Sequence, residues 1–199
     1  MIINNILSYG NVEIIKEVFI IYSFFVHLLI VNIFVSTGVS KIFNFGPFIR
    51  AIKVMLNVSN NYISYFLAIS VITTEIGFSL LLLIGRNTAI PSIALISLLF
   101  IFNLMIVMHI RKKSEISCQC GGFLGNYILN KGIVARNFVL IASLFLTLIF
   151  PPSTNLLTLL DDIHQLVFFV YMEALSLIIL FFYRYINHAA YILKNIKTG

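Results

Sequence analysis

Long apolar runs without charge are the feature that most constrains what this chain can fold into. The run from Ile90 to Ile110 contains no Lys, Arg, Asp or Glu, and about 20 apolar residues are enough to cross a bilayer as a helix. Five such runs predict membrane-spanning helices over residues 18–35, 62–84, 90–110, 133–150 and 166–183. The runs are continuous rather than alternating, which argues against membrane-spanning β-strands.

The composition points the same way. Hydrophobic residues make up 60% of the chain and charged residues 10%, whereas soluble domains contain roughly 45–50% and about 25%. One soluble core of this size cannot bury so much apolar surface. We therefore expect an all-α membrane protein, with residues 1–199 forming a single transmembrane domain in the lipid bilayer. The N-terminus lacks a signal-peptide pattern, so the first run is expected to remain as a membrane helix.

The net charge of +6 indicates membrane topology rather than a nucleic-acid partner, because the basic residues lie between the apolar runs and form no single stripe. With five spans, 11 of the 13 Lys and Arg residues fall on one side, and only Lys16 and Arg86 fall on the other. The positive-inside rule makes the richer side cytoplasmic. The sequence thus predicts a multi-pass protein of the cell (cytoplasmic) membrane, with its N-terminus outside and its C-terminus in the cytoplasm.

Two connections between the runs have a character of their own. Within residues 37–61, the segment "NFGPFIRAIKVML" is typical of a short amphipathic helix at the membrane interface. The loop 111–131 contains both cysteines and is predicted to lie near the cytoplasmic surface. A re-entrant path would carry it into the bilayer if protein buried its backbone.

The two cysteines, Cys118 and Cys120, are separated by one residue in this polar loop. A disulfide closing so small a ring is strained and easily reduced, as in catalytic rather than structural disulfides. Two glycines follow, and the preceding basic run would favour the reactive thiolate. A redox pair is one interpretation, and two incidental cysteines are the other. Binding of Cu(I) with His109 would lack a fourth ligand, so no metal site is predicted.

Several polar residues interrupt the apolar runs. A carboxylate within a bilayer costs several kcal/mol unless it is paired or protonated, so Glu75 is expected either to handle protons or to hold two helices together. Glu173 is interpreted as a packing residue. Interhelical hydrogen bonds are expected for His27 and Asn103. His109 precedes the cysteines and is a candidate acid or base for a thiol.

Four segments in order resemble those of the DoxX-like superfamily and its MauE branch, across residues 34 to about 145. "STGVSKIFNF" is similar to a G-x-x-K element and "TTEIGFSLLLLIG" to a second helix with its glutamate. "SCQCGGFLGN" is similar to the C-x-C-F-G element of MauE proteins, and "VARNFVL" to the R-N element that opens the next helix. One departure is that two glycines separate the second cysteine from Phe123, where the family has Phe-Gly directly.

The resemblance implies a four-helix membrane bundle, here with one additional C-terminal helix. It also implies work on disulfides of exported proteins together with a thioredoxin-like partner. By the same resemblance, the site residues are the catalytic pair Cys118 and Cys120 with Lys41, Glu75, Arg136 and Asn137, and residue chemistry adds His109. Gly38 matches the glycine of the first element.

The resulting hypothesis is a membrane thiol–disulfide oxidoreductase component that relays electrons or disulfides for maturation of an exported protein or peptide. No cofactor is predicted; a quinone would be compatible, but the sequence shows no pocket for it. Disulfides of exported proteins form outside, whereas the charges place the loop inside. Either the loop is a conduit reachable from both faces or the topology is inverted, and the charge bias favours the conduit. The alternative is a non-enzymatic assembly or immunity-type subunit of an export system.

Overall fold

A computed structural model describes residues 2–85, 87–111, 117–118, 127–128, 131–151 and 163–198. The described part is helical apart from two strands of two residues each, as the sequence predicted. It contains six helices and the two strands in this order: α1 (Ile2–Phe43), α2 (Phe45–Leu56), α3 (Asn61–Ile84), α4 (Ala89–Arg111), β1 (Ser117–Cys118), β2 (Tyr127–Ile128), α5 (Lys131–Ile149) and α6 (Ile163–Thr198).

Five of these helices contain segments long and apolar enough to cross a membrane, which confirms the prediction of a multi-pass membrane protein. The segments are Ile21–Phe43, Asn61–Ile84, Ala89–Arg111, Gly132–Ile149 and Ile163–Ile186. The first continues to Phe43, whereas the sequence predicted an end near Val35. The helix extends because Lys41, which looks like an exit from the membrane, is buried in an ion pair.

Short connections fix how α2, α3 and α4 follow one another. Asn57 ends α2 in the left-handed conformation, with φ of 52°, and the side chain of Asn60 caps α3 by accepting a hydrogen bond from the Tyr62 amide at 2.9 Å. Gly85 ends α3 with φ of 72°, a conformation that glycine adopts without steric cost. The tight turn that follows makes α3 and α4 an antiparallel hairpin.

Helix α1 is the centre of the bundle. It contacts α2, α3, α5 and α6. In its most apolar 18-residue stretch 56% is buried, against 11% in the corresponding stretch of α6. Its apolar residues Ile30 and Phe34 belong to a core with Leu82, Leu95 and Leu144 of three other helices. Any residue on the inner faces of α1 is therefore surrounded by protein rather than by lipid.

Helix α2 confirms the predicted amphipathic helix, but its apolar face meets protein. Phe48 and Ile52 are buried against Ala68 and Ile72 in the first half of α3. The strand β1 lies against the same helix. Thus α2 is a platform between the helical bundle on one side and the cysteine-bearing strand on the other.

One end of the bundle collects the basic residues. Helix α1 ends there, α2 lies there, and α4 ends there because it is antiparallel to α3. We call this the basic end and define it by Lys41, Arg50, Lys53, Arg111 and Arg184. The assignment of the basic end to the cytoplasm stays a prediction.

Candidate functional site

The first feature of the site is a buried ion pair between Lys41, in the last turn of α1, and Glu75, in the middle of α3. The ammonium donates to Glu75 Oε1, and the two side chains are only 4% and 5% exposed. Two charges in so dry a place are tolerated only when they are paired. The two residues that the sequence singled out separately therefore form one unit.

Aromatic rings from two further helices cover the amine. Lys41 Nζ lies 5.3 Å from the ring centroid of Phe48 on α2 and 5.2 Å from that of Phe102 on α4. Both distances are within the range of cation–π attraction. Four helices thus meet at one side chain. The second carboxylate oxygen, Glu75 Oε2, has no hydrogen-bond partner within the described residues, so it is an acceptor that the described side chains leave unused.

Gly38 explains how α1 and α3 come close enough for this pair. A Cβ atom built on Gly38 would lie 2.6 Å from Ile76 Cγ1 and 3.8 Å from Glu75 Cβ. Real Cβ atoms do not approach other carbons as closely as the first distance. The glycine one turn before Lys41 is therefore required by helix packing, which gives the G-x-x-K pattern a geometric meaning.

A second polar contact joins α4 to α5. Asn137 donates from Nδ2 to Asn103 Oδ1 at 2.9 Å, and the two residues are 5% and 4% exposed. This confirms the interhelical hydrogen bond expected for Asn103. Phe102, which precedes Asn103 in the sequence, covers the amine of Lys41. Helix α4 therefore takes part in both polar contacts. Arg136 is half-buried in α5 and His109 is buried on α4.

The cysteine pair is described only in part. Cys118 lies in β1, which pairs antiparallel with β2, so that Cys118 is opposite Tyr127. Its backbone is extended and lies beside α2 at the basic end. Cys120 and the following glycines lie outside the described residues, and so does the predicted bond between the thiols. Within the described ranges, no group of three or more His, Cys, Asp or Glu is placed to hold a metal ion.

A polar contact that the sequence did not reveal attaches α6 to α1. Asn32 donates from Nδ2 to Glu173 Oε1 at 2.8 Å and to Ser176 Oγ at 2.7 Å. This agrees with the packing role expected for Glu173. Asn32 itself was missed, and the available signal was an amide within the first apolar run. His27 makes the interhelical bond expected of it, because its Nε2 donates to the Leu82 carbonyl at 2.9 Å.

Comparison with family models gives a match over most of the chain. Residues 18–150 match the family model described as "Methylamine utilisation protein MauE". The matched region contains the first four spans, the ion pair and the cysteine loop, and it ends before α6. The chain matches no curated protein and no solved structure.

Proposed function

The chain belongs to the MauE family of membrane proteins, and on this premise we propose that it is a membrane thiol–disulfide oxidoreductase component. Cys118 and Cys120 are its reactive pair. Together with a thioredoxin-like partner, it relays electrons or disulfides through this pair and so supports maturation of exported proteins or peptides that contain disulfides.

The observation that carries the proposal is the placement of Cys118 on an extended strand beside α2, at the basic end of the bundle. Two thiols one residue apart meet only when the backbone is extended or turned, because the geometry of a disulfide is narrow. Basic surroundings favour the thiolate, which is the form that attacks a disulfide. A soluble partner can also reach a strand that lies at the end of the bundle.

The chemistry is an exchange of two electrons with no further oxidant. One cysteine thiolate attacks a sulfur of the partner's disulfide, which forms a mixed disulfide and releases one partner thiolate. The second cysteine then attacks the mixed disulfide. The partner leaves as a dithiol after taking up two protons, and the pair in the loop is left as a disulfide. The same steps in reverse oxidise the partner.

The ion pair acts as a positioning element in this proposal. Lys41 and Glu75 hold α1 against α3, and Phe48 packs α2 over the amine. The platform on which β1 lies is thereby fixed to the bundle. Proton handling by Glu75 stays a prediction.

The proposal includes a location. The protein lies in the cytoplasmic membrane with its N-terminus outside and its C-terminus inside, because the basic residues favour retention on the cytoplasmic side. The cysteine loop then receives electrons at the cytoplasmic face. Transfer to an exported substrate requires that the loop also be reached from the outer face.

The decisive experiment traps the mixed disulfide in cells. Cys118→Ser and Cys120→Ser are made singly and together, with Ser117→Ala in the same strand as a matched control. The single variant that keeps the attacking cysteine should accumulate a covalent complex that is visible on non-reducing gels and identifiable by mass spectrometry. The double variant should lose both the complex and maturation of the exported protein. Normal maturation in the double variant would refute the redox role and favour the non-enzymatic assembly subunit.

A further inference from the structure

A second feature lies away from the ion pair and the cysteine strand. A cavity of about 530 Å³ separates α1 from α6 toward the basic end. Volumes between roughly 300 and 1,000 Å³ are typical of small-molecule sites. The lining residues that matter below are Asn32, Ser36 and Ser40 of α1, Asn44 between α1 and α2, and Phe181 and Arg184 of α6.

The cavity runs along the two helices. These helices are parallel, because Phe24 stacks on Phe168 at 6.1 Å and Asn32 bonds to Ser176 further along. From Asn32 to Phe43, its last residue, α1 rises by about 16 Å at 1.5 Å per residue. Half of a bilayer's hydrocarbon core is about 15 Å. The cavity is therefore about as long as one leaflet is thick.

The two ends of the cavity differ in polarity. We call the end near Asn32, deeper in the membrane, the inner end, and the end near Arg184, toward the basic end of the bundle, the outer end. At the inner end, Asn32 already donates to Glu173 and Ser176, and the Ser36 hydroxyl donates to the Ile33 carbonyl at 2.9 Å. Their polar hydrogens are thus used within the protein, and apolar side chains line the rest of that end.

The outer end is polar and positively charged. It has the Ser40 hydroxyl and the Asn44 side chain, whose Nδ2 donates to the Ser40 carbonyl at 3.0 Å, and Arg184 is the one charged side chain among the described residues that line the cavity. A guanidinium pairs well with a phosphate group, because two of its N–H groups can donate in parallel. The outer end therefore suits an anionic head group and the inner end suits a hydrocarbon chain.

We propose that the cavity binds an anionic phospholipid, with an acyl chain between α1 and α6 and the phosphate beside Arg184 and Ser40. Basic pockets between membrane helices on the cytoplasmic side are a known way of holding anionic lipid. The site is independent of the thiol chemistry proposed above. It is built partly from α6, which lies outside the residues that match the family.

The first test uses the purified full-length protein in detergent and follows lipid binding by native mass spectrometry. Phosphatidylglycerol should bind more tightly than phosphatidylcholine. Arg184→Gln should weaken phosphatidylglycerol binding about fivefold, the usual contribution of one basic residue near a membrane surface, and should leave phosphatidylcholine unchanged. Arg50→Gln is the matched control, because Arg50 is an exposed cation at the same end but outside the cavity. It should have no effect.

A second variant tests the cavity without changing charge. Ser36→Phe fills the space between the helices, so binding of phosphatidylglycerol should fall although Arg184 is present. Gel filtration and circular dichroism establish that each variant is folded, and the wild-type preference between the two lipids needs no variant at all. Equal binding of the two lipids would overturn the proposal. So would equal effects of Arg184→Gln and Arg50→Gln, or displacement of phosphatidylglycerol by an equimolar neutral quinone.

Discussion

Gly38 on α1 and Ile76 on α3 are in such close contact that a Cβ atom on the glycine would lie 2.6 Å from Ile76 Cγ1. The next residue to face α3 on α1 is Lys41, and the residue before Ile76 is Glu75. The closest approach of the two helices and the buried charge pair are thus neighbouring parts of one contact. Changes to either part should affect the same interface, although for different physical reasons.

Gly38→Ala should destabilise the protein by about 1–3 kcal/mol, the usual range for overpacking, because Ile76 must move. The measurement is the free energy of unfolding in mixed micelles. Gly77→Ala is the matched control, since a Cβ atom at Gly77 meets nothing within 4 Å. That change should be neutral or should stabilise the helix by roughly 0.5–1 kcal/mol. Equal losses in the two variants would contradict the close contact.

Removing one partner of the ion pair should lower the free energy of unfolding more than removing both partners. Lys41→Met or Glu75→Gln alone should lower the free energy of unfolding by about 3–5 kcal/mol, because each single change removes a partner from a buried charged contact. The double variant should recover part of that loss. Lys53→Met is the control, since its bond to Asn61 is exposed, and about 0–1 kcal/mol is expected there. Strictly additive losses for Lys41 and Glu75 would refute the pairing.

The amide contact between α4 and α5 should contribute less to the free energy of unfolding than the ion pair does. Asn137→Leu removes the donor to Asn103 and should cost roughly 0.6–2 kcal/mol, as interhelical hydrogen bonds in membranes do. Ser143→Ala on the same helix is the control, because its hydroxyl donates to the Val139 carbonyl of α5 itself at 2.9 Å. A loss from Ser143→Ala as large as that from Asn137→Leu would show that the contact contributes nothing specific.

The membrane topology can be tested with single cysteines introduced into the Cys118→Ser, Cys120→Ser background. Ser59 and Asn87 are exposed residues at opposite ends of α3. In intact cells, Asn87→Cys should react with a membrane-impermeant thiol reagent, and Ser59→Cys should react only after the membrane is opened. The reverse pattern would show that the basic end faces outward. Labelling of both from outside would contradict a membrane-spanning α3.

The apolar runs predicted the five spans well because crossing a bilayer imposes a length that few other elements need. The prediction failed at the end of the first span, and Lys41 shows why. Its partner, Glu75, is 34 residues away on another helix. A local pattern shows the cost of burying a charge but does not show the residue that neutralises it.

The candidate site was predicted as separate residues rather than as contacts. Gly38, Lys41, Glu75 and Asn137 came from the ordered motifs, but which side chains touch depends on helix packing. No sequence pattern distinguishes Phe48 and Phe102, whose rings cover the Lys41 amine, among the 19 phenylalanines of the chain. Asn32 was overlooked although Asn103, a comparable amide in an apolar run, was singled out, and its partners on α6 become evident only from the helix packing.

The buried ion pair has a consequence for how the chain is made. Lys41 leaves the ribosome well before Glu75, and an unpaired lysine within a bilayer is unfavourable, by up to about 2.5–3.5 kcal/mol at its centre on insertion scales. Until α3 arrives, the end of α1 is better placed at the water surface, with its ammonium hydrated. We therefore expect the last turns of the first span to enter the membrane only when the second span is synthesised, so that the order of synthesis becomes the order of assembly.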